Sequence, residues 1–343
     1  MVEIRWLDSI ESEAVFSTRD IRRGTRIAAE IPLIVVPPVP REKELSRFCD
    51  EMYKASEDNV AKISELSFRP LVKERMKKDH CMNQQVWGFY KARKWKDNTG
   101  TLLKGKKLHK AIKTAMNFCT IFRTNSVYLG PEGRYGSGIF PLYGRMNHSC
   151  VPNAHASYNP TLKRLTIHAI HDIEAGEQIF INYIGDVCRT HQQRAFSLHN
   201  TWGITCDCAA CIDPQVDQLR CRMLILDQAL AAYECGASTD PKFSVTYGVP
   251  RVMTAAEALK TAEELNYLLK EQGLHGMELC RTLRDCSKYA LNSGDPKIAL
   301  GYALKELELE KTLIGTETSH LEDNLQGAKY WVGHVRGQLG KSA

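Results

Sequence analysis

Three cysteines within six residues, Cys206-Asp-Cys208-Ala-Ala-Cys211, carry the plainest chemistry in the sequence. Thiolates are soft ligands, and a tight loop that supplies three of them is the pattern of a structural zinc site. A tetrahedral ion needs a fourth ligand from elsewhere. Cys150 is the prime candidate, because it belongs to the run Arg145-Met-Asn147-His148-Ser-Cys-Val-Pro-Asn153; His191 and His199 are nearer in sequence but stand in no comparable pattern. Zinc there would clamp the 206–211 loop onto the 147–150 segment and contribute on the order of 10–16 kcal/mol to folding. A third run, Gly176-Glu-Gln-Ile-Phe-Ile-Asn-Tyr183, ends on a tyrosine, and all three runs fall within 67 residues.

The 343 residues suffice for two or three compact units with real cores. Hydrophobic content of 43% and charged content of 25% are ordinary for a globular protein. No apolar run approaches the length that spans a bilayer, so no membrane partner is expected. Met1 leads into Glu3, Arg5 and Asp8 rather than an apolar leader. The expected location is cytoplasmic and/or nuclear, and there 12 cysteines mean free thiols and metal ligands rather than a disulfide framework. The net charge of +6 is unevenly spread. Residues 69–113 hold fourteen Lys/Arg against three Asp/Glu, and residues 257–323 eight against thirteen. The basic stretch also contains Trp87, Phe89, Tyr90 and Trp95. It reads either as a solvated helical insert or as a surface for nucleic acid or an acidic partner.

The elements that must position these residues are legible in outline. Val15-Phe16 through Ile34-Val35-Val36 reads as short strands, turned at Arg22-Arg23-Gly24-Thr25 and ended by Pro37-Pro38. From Glu42 to about Thr120 the pattern is helical and charged. Five glycines between 130 and 144 predict an extended loop. Strand signals return at Ala154–Tyr158, Leu165–Ile170 and Gln178–Tyr183. Beyond Cys211 the chain reads as helices: Leu279, Leu283, Cys286 and Ala290 share one helical face. Asn292-Ser-Gly-Asp295-Pro296 stops one helix and caps the next, which Leu300, Leu304 and Leu307 continue. Paired helices of this length resemble tetratricopeptide-type repeats, and a plain bundle reads as well.

The three runs together resemble the SET and post-SET segments of SMYD-like protein lysine methyltransferases. The sequence is similar to fungal SET proteins that lack the MYND zinc finger, because Cys49 and Cys81 alone stand where that finger would be inserted. The similarity covers roughly residues 10–36 and 116–212. It implies an α+β fold: small SET sheets with a pseudoknot, a helical insert, a zinc-binding post-SET segment and an all-α, TPR-like C-terminal domain. The implied divisions are 1–38 (SET N-terminal part), 39–115 (basic insert), 116–190 (SET C-terminal part), 191–214 (zinc segment) and 215–343 (helical domain). The implied activity is S-adenosyl-L-methionine-dependent methylation of a lysine on a protein substrate. By resemblance Tyr183 is the active-site tyrosine, and Asn125, Asn147 and His148 contact the cofactor. Ala14 and Phe16 lie in the cofactor loop, Ile204 faces the adenine, Trp202 lines the lysine channel with Tyr183, and Cys150, Cys206, Cys208 and Cys211 hold structural zinc.

The sequence departs from the family pattern at three places. Ser12-Glu13-Ala14-Val15-Phe16 replaces the usual Gly-x-Gly before the first Phe, where bare backbone approaches the cofactor. Ala14 fits there if its φ is negative, and Glu13 either repels the cofactor's carboxylate or faces solvent. Ile204 stands in place of an aromatic, and Trp202 in place of a channel tyrosine, which narrows the lysine path. These departures leave two rival expectations: a degenerate SET core that serves as a binding scaffold, and a SET fold turned to a small-molecule reaction.

Overall fold

The computed structural model describes residues 1–8, 12–38, 101–130, 133–239, 249–315 and 327–340. Most of the predicted basic insert, residues 39–100, lies outside the described residues. The chain opens with an antiparallel hairpin of β1 (Val2–Leu7) and β2 (Ser12–Ser17), in which Arg5 opposes Ala14 and Trp6 opposes Glu13. β3 (Arg26–Glu30) and β4 (Ile34–Val36) follow, with Gly24 supplying the positive φ of the predicted turn at 82°. Helix α1 (Gly105–Asn125) runs into β5 (Ser126–Tyr128), then β6 (Ser137–Ile139). The helix therefore crosses the expected division at 115/116, because the helical pattern continues unbroken to Asn125.

β4, β6 and β5 form one three-stranded antiparallel sheet, with β6 in the middle. The strand at 137–139 corrects the expectation of a plain loop across 130–144. Glycine masks it, since a side chain at Gly138 would meet the Ile34 carbonyl at 3.2 Å. A second antiparallel sheet orders β3, β9 (Arg164–Ala169) and β8 (Ala154–Asn159). Between the sheets, β7 (Asn147–His148) pairs in parallel with β10 (Phe180–Ile181). β10 is shorter than the predicted strand at 178–183. The Phe180 N–H goes to the Asn153 side chain rather than to a neighbouring strand. Val15, Ile21, Ile27, Met146, Ile167, Ile179 and Ile181 form the core under these sheets.

The second half is helical: α2 (His191–Trp202), one turn of α3 (Ala209–Ile212), α4 (Pro214–Glu234), α5 (Ala255–Glu271), α6 (Met277–Asn292), α7 (Pro296–Ile314) and α8 (Ala328–Leu339). From α4 onward each described helix packs on the next, and α7 also packs on β8 and β9. The predicted face Leu279, Leu283, Cys286, Ala290 is fully buried, and Asp295 caps α7 through the Ile298 N–H at 3.0 Å. Leu300, Leu304 and Leu307 continue α7 as expected, and Leu304 is 41% exposed. The buried face of α7 runs through Ala299, Ala303, Glu306, Leu309, Glu310, Leu313 and Ile314, with Glu306 paired to Arg284 of α6 at 2.7 Å. No helix among the described residues is long and apolar enough to cross a membrane.

Candidate active site and metal centre

The parallel pair β7–β10 brings the Asn147-His148 run beside Tyr183. Backbone contacts set the approach: Ser149 N–H donates to the Ile181 carbonyl at 3.0 Å. Asn153 locks it, donating to Glu177 Oε1 at 3.0 Å and the Gln178 carbonyl at 2.9 Å while accepting from Phe180 N–H at 2.8 Å. Sequence reading missed this lock, although both residues sit in the runs it singled out.

Tyr183 is fixed from three sides. Its N–H donates to His148 Nδ1 at 3.1 Å, and its hydroxyl donates to the Met146 carbonyl at 2.5 Å. Its ring packs 5.4 Å from the His148 ring and 5.3 Å from the Trp202 ring. Trp202 is anchored in turn, its Nε1–H donating to the Thr124 carbonyl at the C-terminal end of α1 at 3.0 Å. Asn125, the last residue of α1, donates to the Ile121 carbonyl and to Thr124 Oγ1, both at 2.9 Å. A hydroxyl that gives its proton to Met146 presents an acceptor oxygen to anything else in the site.

The altered cofactor loop is an ordinary strand. Ala14 is fully buried and its φ is not positive. Phe16 bridges to Gln178 and lies under Arg5, whose guanidinium carbon is 4.6 Å from the ring centroid. Glu13 corrects the expectation of repulsion or solvent exposure. Its carboxylate accepts from Arg145 Nε at 2.6 Å, and Arg145 also holds the Pro141 carbonyl at 2.8 Å. Arg145 opens the run that ends at Asn153, yet nothing near it in the chain signals this partner 132 residues away.

The cysteine cluster is assembled by the end of α2 and by α3. Thr190 caps α2 in a capping box with Gln193, and Gly203 ends it in the left-handed conformation at φ 67°. That turn carries the chain past half-buried Ile204 into the cysteine loop. Cys208 and Cys211 bracket one helical turn, the Cys211 N–H donating to the Cys208 carbonyl at 2.7 Å, so both sulfurs leave on one side. The sulfurs of Cys150, Cys206, Cys208 and Cys211 all lie within 4.8 Å of one another, with Cys150 and Cys211 3.6 Å apart. Zinc–sulfur bonds of about 2.3 Å imply a tetrahedron with edges of about 3.8 Å, so four thiols at this separation can hold one zinc ion. Mutual hydrogen bonds, first from Cys150, pull Cys211 down to about 6 and Cys208 down as well. Cys150 is pushed up, first by its bond with Cys206.

His148 joins the two regions. Nδ1 accepts from Tyr183, so Nε2 carries the proton, and Nε2 lies 3.3 Å from the Cys150 sulfur. A cavity of about 150 Å³ opens beside Asn182, between β8, the 181–187 segment and the start of α6. Tyr143, His155, Asn182, His275 and Glu278 contribute its polar lining. Burial lowers His155 to about 4 and raises Glu278, which pairs with Arg281 at 2.6 Å.

A SET-domain family model matches residues 13–184, half of the sequence, and the chain belongs to the SET-domain family. It is 45% identical over 74 residues to the histone-lysine N-methyltransferase set5 of Schizosaccharomyces pombe, a match covering 22% of this chain and 23% of that protein. It is 35% identical over 97 residues to the N-lysine methyltransferase SMYD2 of Gallus gallus, covering 28% and 22%. It is 40% identical over 88 residues to the protein-lysine N-trimethyltransferase SMYD5 of Gallus gallus, covering 24% and 21%. The matched segments thus span less than a quarter of each relative.

Proposed function

We propose that the chain is an S-adenosyl-L-methionine-dependent protein lysine N-methyltransferase with one structural zinc ion held by Cys150, Cys206, Cys208 and Cys211. The observation that carries the reading is Tyr183, wedged between His148 and Trp202 with its proton committed to the Met146 carbonyl. An acceptor oxygen fixed this way can orient a lysine amine.

Asn147 and His148, with Asn125 near the aminoacyl end, would hold the cofactor; Ala14 and Phe16 would line its loop and Ile204 its adenine. The half-buried Glu13–Arg145 pair offers both charges that a zwitterionic aminoacyl group needs. When bound, the cofactor supplies an electrophilic methyl group on a positively charged sulfur. The protein's share is to deliver a neutral amine. A lysine of pKa about 10.4 is protonated roughly a thousandfold over at pH 7. A channel walled by Tyr183 and Trp202 desolvates the ammonium and lowers that pKa. Alignment of the neutral amine then supplies up to ~7–11 kcal/mol, with weak C–H···O contacts from the Tyr183 oxygen and nearby carbonyls.

The substrate reading is a lysine on a protein, with its flanking residues against the cavity beside Asn182. Lys104, at the N-cap of α1, and Lys106, Lys107, Lys110 and Lys113 within it are exposed. With residues 69–103 they would form a surface for nucleic acid or an acidic partner, in a cytoplasmic or nuclear setting. The test is transfer of a labelled methyl group from S-adenosylmethionine to protein and peptide arrays, with S-adenosylhomocysteine titrated by calorimetry. Lysine-directed label that is lost in Tyr183→Phe supports the reading. Cofactor binding without protein transfer, or no binding at all, would overturn it.

A further inference from the structure

Arg194 and Arg220 are the largest fully buried side chains of the described residues, 1% and 0% exposed. Burying a guanidinium without a counter-charge is costly, and such groups are almost always paired. Among the described residues, neither has a carboxylate within hydrogen-bond distance. Arg194 Nη1 stands 3.8 Å from Asp217, and Arg220 makes no ion pair among the described residues. Both Nε atoms are buried without a hydrogen-bond partner.

What the two share is the cysteine cluster. Arg194 Nη2 lies 3.9 Å from the Cys211 sulfur and donates to the Ala210 carbonyl at 2.9 Å, while Nη1 donates to the Arg189 carbonyl at 2.7 Å. Arg220 Nη2 donates to the Cys150 carbonyl at 3.2 Å and Nη1 to the Val187 carbonyl at 2.9 Å. One arginine comes from α2 and the other from α4, so two separate helices each deliver a buried cation to the same half-buried cysteine cluster.

Four thiolates around a divalent zinc ion carry two net negative charges. We propose that Arg194 and Arg220 are the charge partners of the metal centre, two buried cations that balance those two negative charges and keep all four cysteines as ligands. The inference rests on the zinc reading above. It gives α4 a role in metal retention, since Arg220 grips the ligand strand at Cys150 from the helical half of the chain. His148 donates to the same Cys150 sulfur, so the charge balance reaches the strand that holds Tyr183.

The test measures zinc affinity of the full chain by competition with a chromogenic chelator, in wild type and in Arg194→Met, Arg194→Lys, Arg220→Met and Arg220→Lys. The Met variants should bind zinc about 10–100-fold more weakly, and the Lys variants should recover most of that loss. A second arm replaces one ligand charge away from both arginines, Cys206→His. In that background Arg194→Met should cost less, because the centre carries one negative charge fewer. Lys variants as weak as Met variants, or an Arg194→Met cost unchanged by Cys206→His, would overturn the proposal. If the Met variants do not fold, folded zinc-bound Lys variants still support it, and unfolded Lys variants defeat it. A wild-type chain that folds without zinc removes the zinc reading and this one together; charge-insensitive variants of a zinc-bound wild type remove this one alone.

Discussion

Glu13 and Arg145 form an ion pair at 2.6 Å, with their side chains 27% and 19% exposed, that ties β2 to the turn leading into Asn147. Ala14 beside the pair is fully buried in β2. The variant Ser12→Gly/Ala14→Gly should therefore lose roughly 1–2 kcal/mol of stability in urea, since glycine in a strand costs about 0.5–1 kcal/mol relative to alanine. Affinity for S-adenosylhomocysteine should change less than about threefold. A large gain in affinity would mean that backbone access limits the native loop after all.

Tyr183→Phe should abolish or strongly reduce methyl transfer while the chain stays folded. The variant also deprives the Met146 carbonyl of its donor, so about 1 kcal/mol of stability should go with it. Turnover and the thermal midpoint, measured together, separate the two effects. Unchanged turnover would remove Tyr183 from the mechanism.

Purified protein should carry about one equivalent of zinc, by metal analysis. Cys208→Ser should lose the metal and, with it, cooperative unfolding, because the ligands come from two segments far apart in the chain, the exit of strand β7 and the loop after α2. A strong chelator should have the same effect on wild type. A folded Cys208→Ser chain with native melting behaviour would refute the structural role.

Glu310 gives the helical half a dependence on pH. Burial, then repulsion from Glu306, raises its carboxyl from 4.5 to about 7. Its Oε2 has no hydrogen-bond partner, while the Ala328 N–H at the start of α8 donates to the group. Arg284, paired with Glu306, is the nearby cation. A carboxyl raised on folding adds stability that is complete below its unfolded value and is lost as pH rises through the folded one. Stability should thus fall between about pH 4.5 and about 7 through this group, and Glu310→Gln should flatten that slope. Urea midpoints of both proteins across that range decide it; parallel slopes would exclude Glu310.

Local patterns, each confined to a few residues, were enough to read much of this protein from its sequence. The spacing of Cys206, Cys208 and Cys211 fixes ligand geometry within one turn. Asp295-Pro296 caps its helix through its own backbone, and the apolar period of α6 marks its buried face wherever that face ends up. The family resemblance followed from such runs. Long-range partners were not legible, because nothing near them in the chain encodes them. Arg145 finds Glu13 across 132 residues, Asn153 finds Glu177 across 24, and Arg220 reaches the Cys150 carbonyl across 70. Leu304 shows the same limit from the other side. Its spacing continues the helix, but that it lies 41% exposed while Glu306 of the same helix is buried against Arg284 was decided by packing. Sequence supplied the groups that can do chemistry and named the four thiols; packing decided which charges are neutralised and which carbonyl takes the Tyr183 proton.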